Sequence, residues 1–192
     1  MKILFVGNSY TYFNDLPEVV RNICVASGVD TEIDAVTAGG YTLAHFVSES
    51  NPYGRQLREK CASNAYDFAV LQEQSTRPAV SPKTFYKYLR LLLPVIQATG
   101  AKPVLYETWG RADGAPVLTC HHWTHEQMQQ KLRTAYETAA AEHGIAVAHA
   151  GDRFSEAYRA GEAVFDPDGS HPSPAGTQIA AREIAQTILA LI

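Results

Sequence analysis

The stretch that decides the fold is Lys2-Ile3-Leu4-Phe5-Val6-Gly7-Asn8-Ser9, an apolar run that ends in a tight turn of small and polar residues. The run favours a buried β-strand, because it is short, continuous and rich in residues that suit strands. Asn14 or Asp15 can then cap a helix that Pro17 opens. The pattern therefore predicts a strand, a loop and a helix, with Ser9 in the loop.

The alternation of strand and helix continues along the chain. Further apolar runs predict four strands, at Thr31–Val36, Asp67–Leu71, Pro103–Glu107 and Ile145–His149. Helical spacing predicts helices at Arg55–Ser63, Ser81–Thr99, Thr124–His143 and Pro174–Ile192, and leaves 109–123 as a long irregular stretch. Crossovers between parallel strands place helices on both faces of a sheet. We therefore predict an α/β fold, a three-layer α/β/α sandwich around a flavodoxin-like parallel sheet of about five strands.

Length and composition are those of an ordinary globular protein. The 192 residues suit one core, and no linker or repeat divides them, so we expect a single domain over 1–192. No apolar run approaches the ~18 residues of a membrane helix, and the N-terminal run is too short for a signal peptide. The net charge is −4 and the basic residues are scattered, which argues against a nucleic-acid partner. We expect a cytoplasmic protein without a membrane partner, although a secreted chain that had been trimmed would look the same.

Two distant parts of the chain carry side chains suited to nucleophilic catalysis. Ser9 lies at the carboxyl end of the first predicted strand, where ligands of such sheets bind. Asp168 and His171 lie three positions apart in a turn before the closing helix. A serine hydroxyl needs a base to take its proton, and the base needs a carboxylate to hold its tautomer. The pattern favours a Ser9–His171–Asp168 triad, with Asp166 as the alternative acid.

Donors for an oxyanion follow the second and third predicted strands. Gly39 and Gly40 allow the backbone to approach closely and to point an N–H group at an oxygen. Gln72 and Gln74 offer side-chain amides directly after a buried strand. Which glutamine donates stays open, because a shift of one residue at a strand end reverses the side-chain direction.

This ordered set resembles the SGNH (GDSL-like) hydrolase superfamily over nearly the whole chain. Gly7-Asn8-Ser9 is similar to its Gly-Asp-Ser block, and Asp168 with His171 matches its Asp-x-x-His block. The third block departs from the usual Gly-x-Asn-Asp, since Gln72-Glu73-Gln74-Ser75 stands there. The two blocks Gly7-Asn8-Ser9 and Leu71-Gln72-Glu73-Gln74-Ser75 are similar to those of an uncharacterised branch found largely in bacterial genomes.

The resemblance implies a role for each matching residue. Ser9 would be the nucleophile, His171 the base and Asp168 the residue that orients it. The backbone N–H groups of Ser9 and of Gly40, or Gly39 in its place, would bind the oxyanion. In related carbohydrate acetylesterases a strand-end glutamine lies in the region of the third block, which makes Gln72 the first choice for the remaining donor and Gln74 the second.

By the same resemblance we expect a serine esterase that hydrolyses a small acyl ester through an acyl-enzyme and needs no cofactor. The preferred substrate is an acetyl group on a carbohydrate, with simple short-chain esters or thioesters as competitors. Two other classes stay open: a flavodoxin-like module that binds phosphate or another ligand, and an inactive SGNH scaffold that binds glycans. The first class has no use for Asp168 and His171.

Several side chains near the predicted strand ends are candidates for the substrate pocket. Tyr10 and Trp109 could stack on a sugar ring or wall an acyl pocket, and Asn8 and His122 lie in or near the same loops. A zinc site is the competing interpretation of the histidines at 121, 122 and 125, but neither a cysteine nor a carboxylate completes the ligand set. We expect no metal. Arg77 and Arg111 are expected to be solvated surface residues.

Overall fold

The computed structural model describes residues 1–192, with five parallel strands at the centre. The strands are β1 (Lys2–Gly7), β2 (Glu32–Thr37), β3 (Phe68–Leu71), β4 (Lys102–Tyr106) and β5 (Ala146–Ala148). Their order across the sheet is β2-β1-β3-β4-β5, and every neighbouring pair is parallel. The predicted α/β fold is confirmed, and each predicted strand end lies within one residue of the observed one.

Helices connect the strands and close the chain. They are α1 (Ser9–Tyr12), α2 (Leu16–Ala26), α3 (Leu43–Val47), α4 (Pro52–Ser63), α5 (Arg77–Val80), α6 (Pro82–Gln97), α7 (Pro116–His121), α8 (His125–His143), α9 (Ala150–Arg159) and α10 (Pro174–Leu189). None of them combines the length and the hydropathy that crossing a bilayer requires. The stretch 109–123, predicted to be irregular, contains α7, which starts at a proline in its first turn.

The core consists of two apolar layers, one on each face of the sheet. Alternate residues of β1 point to opposite faces, so Ile3 and Phe5 belong to one layer and Leu4 and Val6 to the other. The first layer packs against α2, α9 and α10, and the second against α3, α4, α6 and α8. Helices on both faces of one sheet make the predicted three-layer sandwich.

The topology brings particular loops together at one edge of the sheet. In a parallel sheet all carboxyl ends point the same way, and β1 lies between β2 and β3. The loops that follow these three strands are therefore neighbours. They contain Ser9, the Gly39-Gly40 turn and the segment Gln72–Gln74.

Candidate active site

Ser9 lies in a tight turn that only glycine permits at position 7. A Cβ atom on Gly7 would be 2.2 Å from Thr11 Oγ1 and 2.6 Å from Gln72 Oε1. Ser9 is the first residue of α1, and Asn8 caps this helix by accepting a hydrogen bond from the Tyr10 N–H at 3.1 Å. The first N–H groups of a helix have no partner within it, which leaves the Ser9 N–H free for a ligand.

Asp168 and His171 reach Ser9 from the loop that precedes α10. Nε2 of His171 is 2.9 Å from Ser9 Oγ, and its Nδ1 is 2.5 Å from Asp168 Oδ2. Oδ1 of Asp168 accepts the backbone N–H groups of Ser170 and His171 at 2.8 and 2.9 Å. Burial alone would raise the pKa of Asp168, but these hydrogen bonds lower it. Asp166, the alternative acid, bonds to His171 only through backbone atoms.

The glycine turn after β2 offers two unpaired backbone donors. The Tyr41 N–H donates to the Ala38 carbonyl at 3.1 Å and closes the turn, while the N–H groups of Gly39 and Gly40 make no hydrogen bond within the protein. Gly40 has φ of +72°, a left-handed conformation that favours glycine. Asn8 Nδ2 donates to the Tyr41 carbonyl at 2.8 Å and so ties this turn to the turn of Ser9.

Gln72, the first choice for a side-chain donor, is hydrogen-bonded within the protein. The residue is fully buried, and its Oε1 accepts the Asn8 N–H at 2.8 Å and the Thr11 hydroxyl at 2.9 Å. Its Nε2 donates to the Glu73 carbonyl. Both polar atoms of the amide are thus hydrogen-bonded within the protein, where Oε1 supports the turn of Ser9.

Gln74 keeps a free donor, in contrast to Gln72. Its Oε1 accepts three hydrogen bonds, from the N–H and hydroxyl of Thr76 at 3.1 and 2.9 Å and from the Arg77 N–H at 3.1 Å. These bonds fix the amide plane, while Nε2 has no partner within the protein. A held amide with an unused N–H group is what a preorganised oxyanion donor requires.

Glu73, which sequence reasoning did not single out, links the loops after β2 and β3. Its carboxylate accepts the Gln74 N–H at 2.6 Å and the Leu43 N–H at 3.3 Å. Burial raises the pKa of Glu73 to about 7, against these hydrogen bonds and the charge of Arg77. The sequence feature that could have pointed to Glu73 is an acidic residue just after a buried strand.

Three predicted substrate residues are buried instead of lining a pocket. Trp109 is fully buried, stacks on Phe154 at 4.0 Å between ring centroids, and donates its Nε1–H to the Ser170 carbonyl at 3.1 Å. Tyr10 is 2% exposed and stacks on Trp109 at 4.8 Å. Asn8 is also 2% exposed and is used by the hydrogen bonds described above. The three side chains support the two loops from beneath, and this burial argues against direct contact with a substrate.

The three histidines of the segment 121–125 do not form a shared site. His121 stacks on Trp123 at 4.4 Å. His122, predicted to line the substrate pocket, lines a surface pocket with residues of 121–131 and with none of the triad. His125 is buried, 2.9 Å from the Arg111 carbonyl and 2.8 Å from Ser155 Oγ.

Arg111 is not the solvated residue that the sequence suggested. Its guanidinium donates to Ser75 Oγ at 2.8 Å and to Ser170 Oγ, and it lies 5.3 Å from the centre of the Tyr10 ring. Burial lowers the pKa of Arg111 to about 10, against the attraction of the nearby Asp168, so the group stays positive at neutral pH. Arg111 therefore joins the loop after β3 to the loop that carries His171.

One other group of side chains has the composition of a metal site. Glu107, His149 and Asp152 place one ligand atom each within 4.8 Å of one another. Gln129 Nε2, however, donates to Glu107 Oε1 at 2.6 Å and to Asp152 Oδ1 at 3.1 Å, between the two carboxylates. The remaining oxygens face His149 and Arg133. The carboxylates already have protein donors, which fits a structural hydrogen-bond network better than a cation site.

The parallel sheet, with a serine after its first strand and an Asp-x-x-His loop before its last helix, defines a class of α/β hydrolase. No protein-family model and no curated protein matches the chain. Among solved structures it is similar to a protein from Slackia heliotrinireducens described as a candidate SGNH hydrolase, at 33% identity over 98% of either chain, with a TM-score of 0.85. The chain belongs to the SGNH hydrolase superfamily, as its sequence predicted.

More distant similarities share the fold. A lipase/acylhydrolase from Enterococcus faecalis is 16% identical over 99% of this chain and 96% of that chain, with a TM-score of 0.75. A variant of an acetyl-xylooligosaccharide esterase from Geobacillus Stearmophilus is also 16% identical, over 97% of this chain and 93% of that chain, with a TM-score of 0.73. At this level of identity the comparison concerns architecture alone.

Proposed function

We propose that the chain is a serine esterase that hydrolyses a small acyl ester. The observation that carries this proposal is the hydrogen-bonded line from Ser9 through His171 to Asp168, with distances of 2.9 and 2.5 Å. Nε2 of His171 is within the distance at which a general base takes a proton. Asp168, whose pKa is lowered, is ionised at neutral pH and favours the tautomer with the proton on Nδ1.

The reaction has two steps that pass through an ester on Ser9. His171 takes the hydroxyl proton while Ser9 Oγ attacks the carbonyl carbon of the substrate. The tetrahedral intermediate collapses, and His171 gives the proton to the oxygen of the leaving alcohol. Water then attacks the acyl-enzyme, with His171 again as the base, and the carboxylic acid and free Ser9 result. No cofactor enters either step.

Three donors would bind the oxyanion of both intermediates. They are the N–H groups of Ser9 and Gly40 and the Nε2 amide of Gln74, each without a partner within the protein. Gly39 remains the alternative to Gly40, because its N–H is equally free. Gln74 takes the place proposed for Gln72 from the sequence, since the Gln72 amide is buried and used.

We infer that the substrate is a short acyl group, such as acetyl, on a bulky alcohol such as a carbohydrate. The triad is close to solvent, with side-chain exposure of 26% for His171 and 47% for Asp168, which suits a large alcohol. The two largest surface cavities lie elsewhere, between α7 and α8 and between α9 and α10, and neither contains a residue of the triad, so they offer no channel for a long acyl chain at Ser9. Tyr12 is 42% exposed, and its hydroxyl lies beside Gly39. It replaces Tyr10 and Trp109 as the aromatic surface for a sugar ring.

The test is hydrolysis of p-nitrophenyl acetate by the purified protein beside its Ser9→Ala and His171→Ala variants. We expect each variant to lose at least about 10³-fold in kcat/KM while its thermal unfolding stays cooperative. Equal trace hydrolysis by all three proteins, together with no labelling of Ser9 by a fluorophosphonate probe, would contradict the proposal. Acetylated xylo-oligosaccharides and p-nitrophenyl butyrate then separate sugar acetyl esters from longer acyl esters.

A further inference from the structure

The chain between α1 and α2 makes an unusual turn. Phe13–Asp15 form a short 3-10 helix in which Asn14 has φ of +50° and Asp15 has φ of +53°. Two successive left-handed residues are uncommon outside glycine, and asparagine and aspartate adopt this conformation most readily. Such backbone conformations persist where the surrounding structure demands them, and they are concentrated at functional sites.

Phe13 faces the base of the proposed triad. Its ring stacks on the imidazole of His171, with 4.3 Å between ring centroids and an angle of 17° between planes. Tyr10 meets the same imidazole edge-on, with a centroid distance of 5.5 Å. Contacts on a face and an edge restrict rotation of the imidazole about its χ2 angle. Rotation would move Nε2 away from Ser9 and Nδ1 away from Asp168.

Asn14 holds the backbone next to His171. Its Nδ2 donates to the carbonyl of Pro172 at 3.0 Å and to Thr177 Oγ1 at 2.9 Å. Pro172 follows His171 directly, and Thr177 is a buried residue in the first turns of α10. Asn14, in its left-handed conformation, thus donates one hydrogen bond to the His171 loop and one to α10.

We propose that Phe13 and Asn14 are positioning residues that form a clamp on the His171 loop and hold the imidazole in line with Ser9 and Asp168. The proposal rests on the proposed function in taking Ser9 and His171 as nucleophile and base. The loop requires such support because it lies at the surface, where the Asp168 side chain is 47% exposed. Trp109 and Arg111 bond to Ser170 from beneath. The clamp acts from the opposite end of the loop, beyond His171.

The first test compares Asn14→Gly with Asp15→Gly. Both positions are exposed and left-handed, so glycine suits the backbone of both, but only Asn14 donates side-chain hydrogen bonds to the loop. We expect Asn14→Gly to lower kcat for p-nitrophenyl acetate about tenfold or more with KM nearly unchanged, because small misplacements of a catalytic group are costly. Asp15→Gly should stay within about twofold of wild type. Equal kcat values for the two variants would overturn the role of Asn14.

The second test compares Phe13→Leu with Phe13→Tyr. Leucine keeps apolar bulk but loses the planar ring, whereas tyrosine keeps the ring. We expect kcat to fall about tenfold in Phe13→Leu and to return to within about twofold of wild type in Phe13→Tyr. A loss that tyrosine does not restore, or no loss in Phe13→Leu, would overturn the stacking role.

A spectroscopic measurement separates the clamp from the esterase proposal. We expect the Nδ1 proton between His171 and Asp168, whose heavy atoms are 2.5 Å apart, to give a low-field proton NMR signal in the wild-type protein without any substrate. We expect this signal to broaden or disappear in Asn14→Gly and Phe13→Leu and to persist in Asp15→Gly and Phe13→Tyr. If the wild-type protein hydrolyses no ester, the proposed function fails, while this pattern still supports the clamp. A signal unchanged in all four variants overturns the clamp, whatever the activity.

Discussion

Two histidine–carboxylate pairs lie at the carboxyl edge of the same sheet, and they differ in what faces the free ring nitrogen. His171 is 2.5 Å from Asp168 through Nδ1 and 2.9 Å from the Ser9 hydroxyl through Nε2. His149 is 2.7 Å from Glu107 through Nδ1, and its Nε2 makes no hydrogen bond within the protein. A base without a hydroxyl beside it has no nucleophile to activate.

The two carboxylates differ as well. Glu107 is fully buried and burial raises its pKa, although His149 and Gln129 lower it by hydrogen bonding. The Asp168 side chain is 47% exposed, and its hydrogen bonds lower its pKa in spite of partial burial. A paired histidine and carboxylate is therefore not a catalytic signature by itself. The third partner and the exposure of the pair decide whether it serves chemistry or stability.

The largest expected effect follows from neutralising each carboxylate in turn. We expect Asp168→Asn to lower kcat/KM by about 10²- to 10⁴-fold, because an amide does not stabilise the imidazolium and can hold the wrong tautomer. Glu107→Gln should change kcat/KM of the folded protein by no more than about threefold. Steady-state hydrolysis of p-nitrophenyl acetate measures both. Comparable losses in the two variants would mean that the Glu107–His149 pair also serves the reaction.

For the free energy of unfolding we expect the opposite order, with a larger loss at Glu107 than at Asp168. Glu107→Ala leaves the Gln129 amide without its 2.6 Å partner in a buried site, and we expect a loss of about 2–4 kcal/mol. Asp168→Ala removes an exposed pair and should cost less than about 1 kcal/mol. Urea denaturation at pH 7 measures both values. A larger loss for Asp168→Ala would contradict the interpretation that the Glu107–His149 pair serves stability and the Asp168–His171 pair serves the reaction.

Local sequence was sufficient for the strands and less so for some helices. Each strand is a short apolar run bounded by turn residues, so its ends could be read to within one residue. Helix α9 was missed. Its buried stripe of Ala150, Phe154 and Ala157 contains only one large residue, and the helix begins two positions after β5. When most buried residues of a helix are small, the hydrophobicity of its buried face differs little from that of its exposed face, so the helical pattern is hard to detect.

The prediction of the candidate site likewise depends partly on local sequence and partly on tertiary structure. Asp168 and His171 are three positions apart in one turn, so their proximity is a local property of the chain. Their approach to Ser9 follows from topology, because β1 and the start of α10 meet at the carboxyl edge of the sheet.

Side-chain directions at the strand ends depend on packing between loops, which spacing does not encode. For this reason the sequence could not show that the amide of Gln72 is hydrogen-bonded within the protein while Nε2 of Gln74 is free, and Arg111 was expected in solvent although it joins two loops. Tyr10 and Trp109 were placed in the pocket because they follow strands, but both rings pack together beneath the His171 loop.

The smallest expected effect is the change in the pKa of His149 when its partner Glu107 is replaced. The hydrogen bond to Glu107 raises the pKa of His149 above its ordinary 6.5, against partial burial. We expect an NMR titration of the wild-type protein to show this rise and the Glu107→Gln variant to lose it. An unchanged pKa in the variant would mean that the pair is not coupled and that only packing distinguishes it from the His171 pair.

The pH dependence of stability should separate the two pairs in the same experiments. Because the pKa of His149 is raised, its contribution to stability is complete below about pH 6.5 and is lost as pH rises through the folded-state value. Asp168 has a lowered pKa, so its contribution is present above about pH 3.8 and is lost as pH falls further. With a side-chain exposure of 37%, His149 should contribute less than about 1 kcal/mol. Urea denaturation at pH 6 and pH 9 should therefore show an alkaline loss in the wild-type protein to which Glu73, with its pKa raised to about 7, also contributes. The small part due to His149 should be lost in Glu107→Gln and retained in Asp168→Asn, since only the first variant removes the partner of His149.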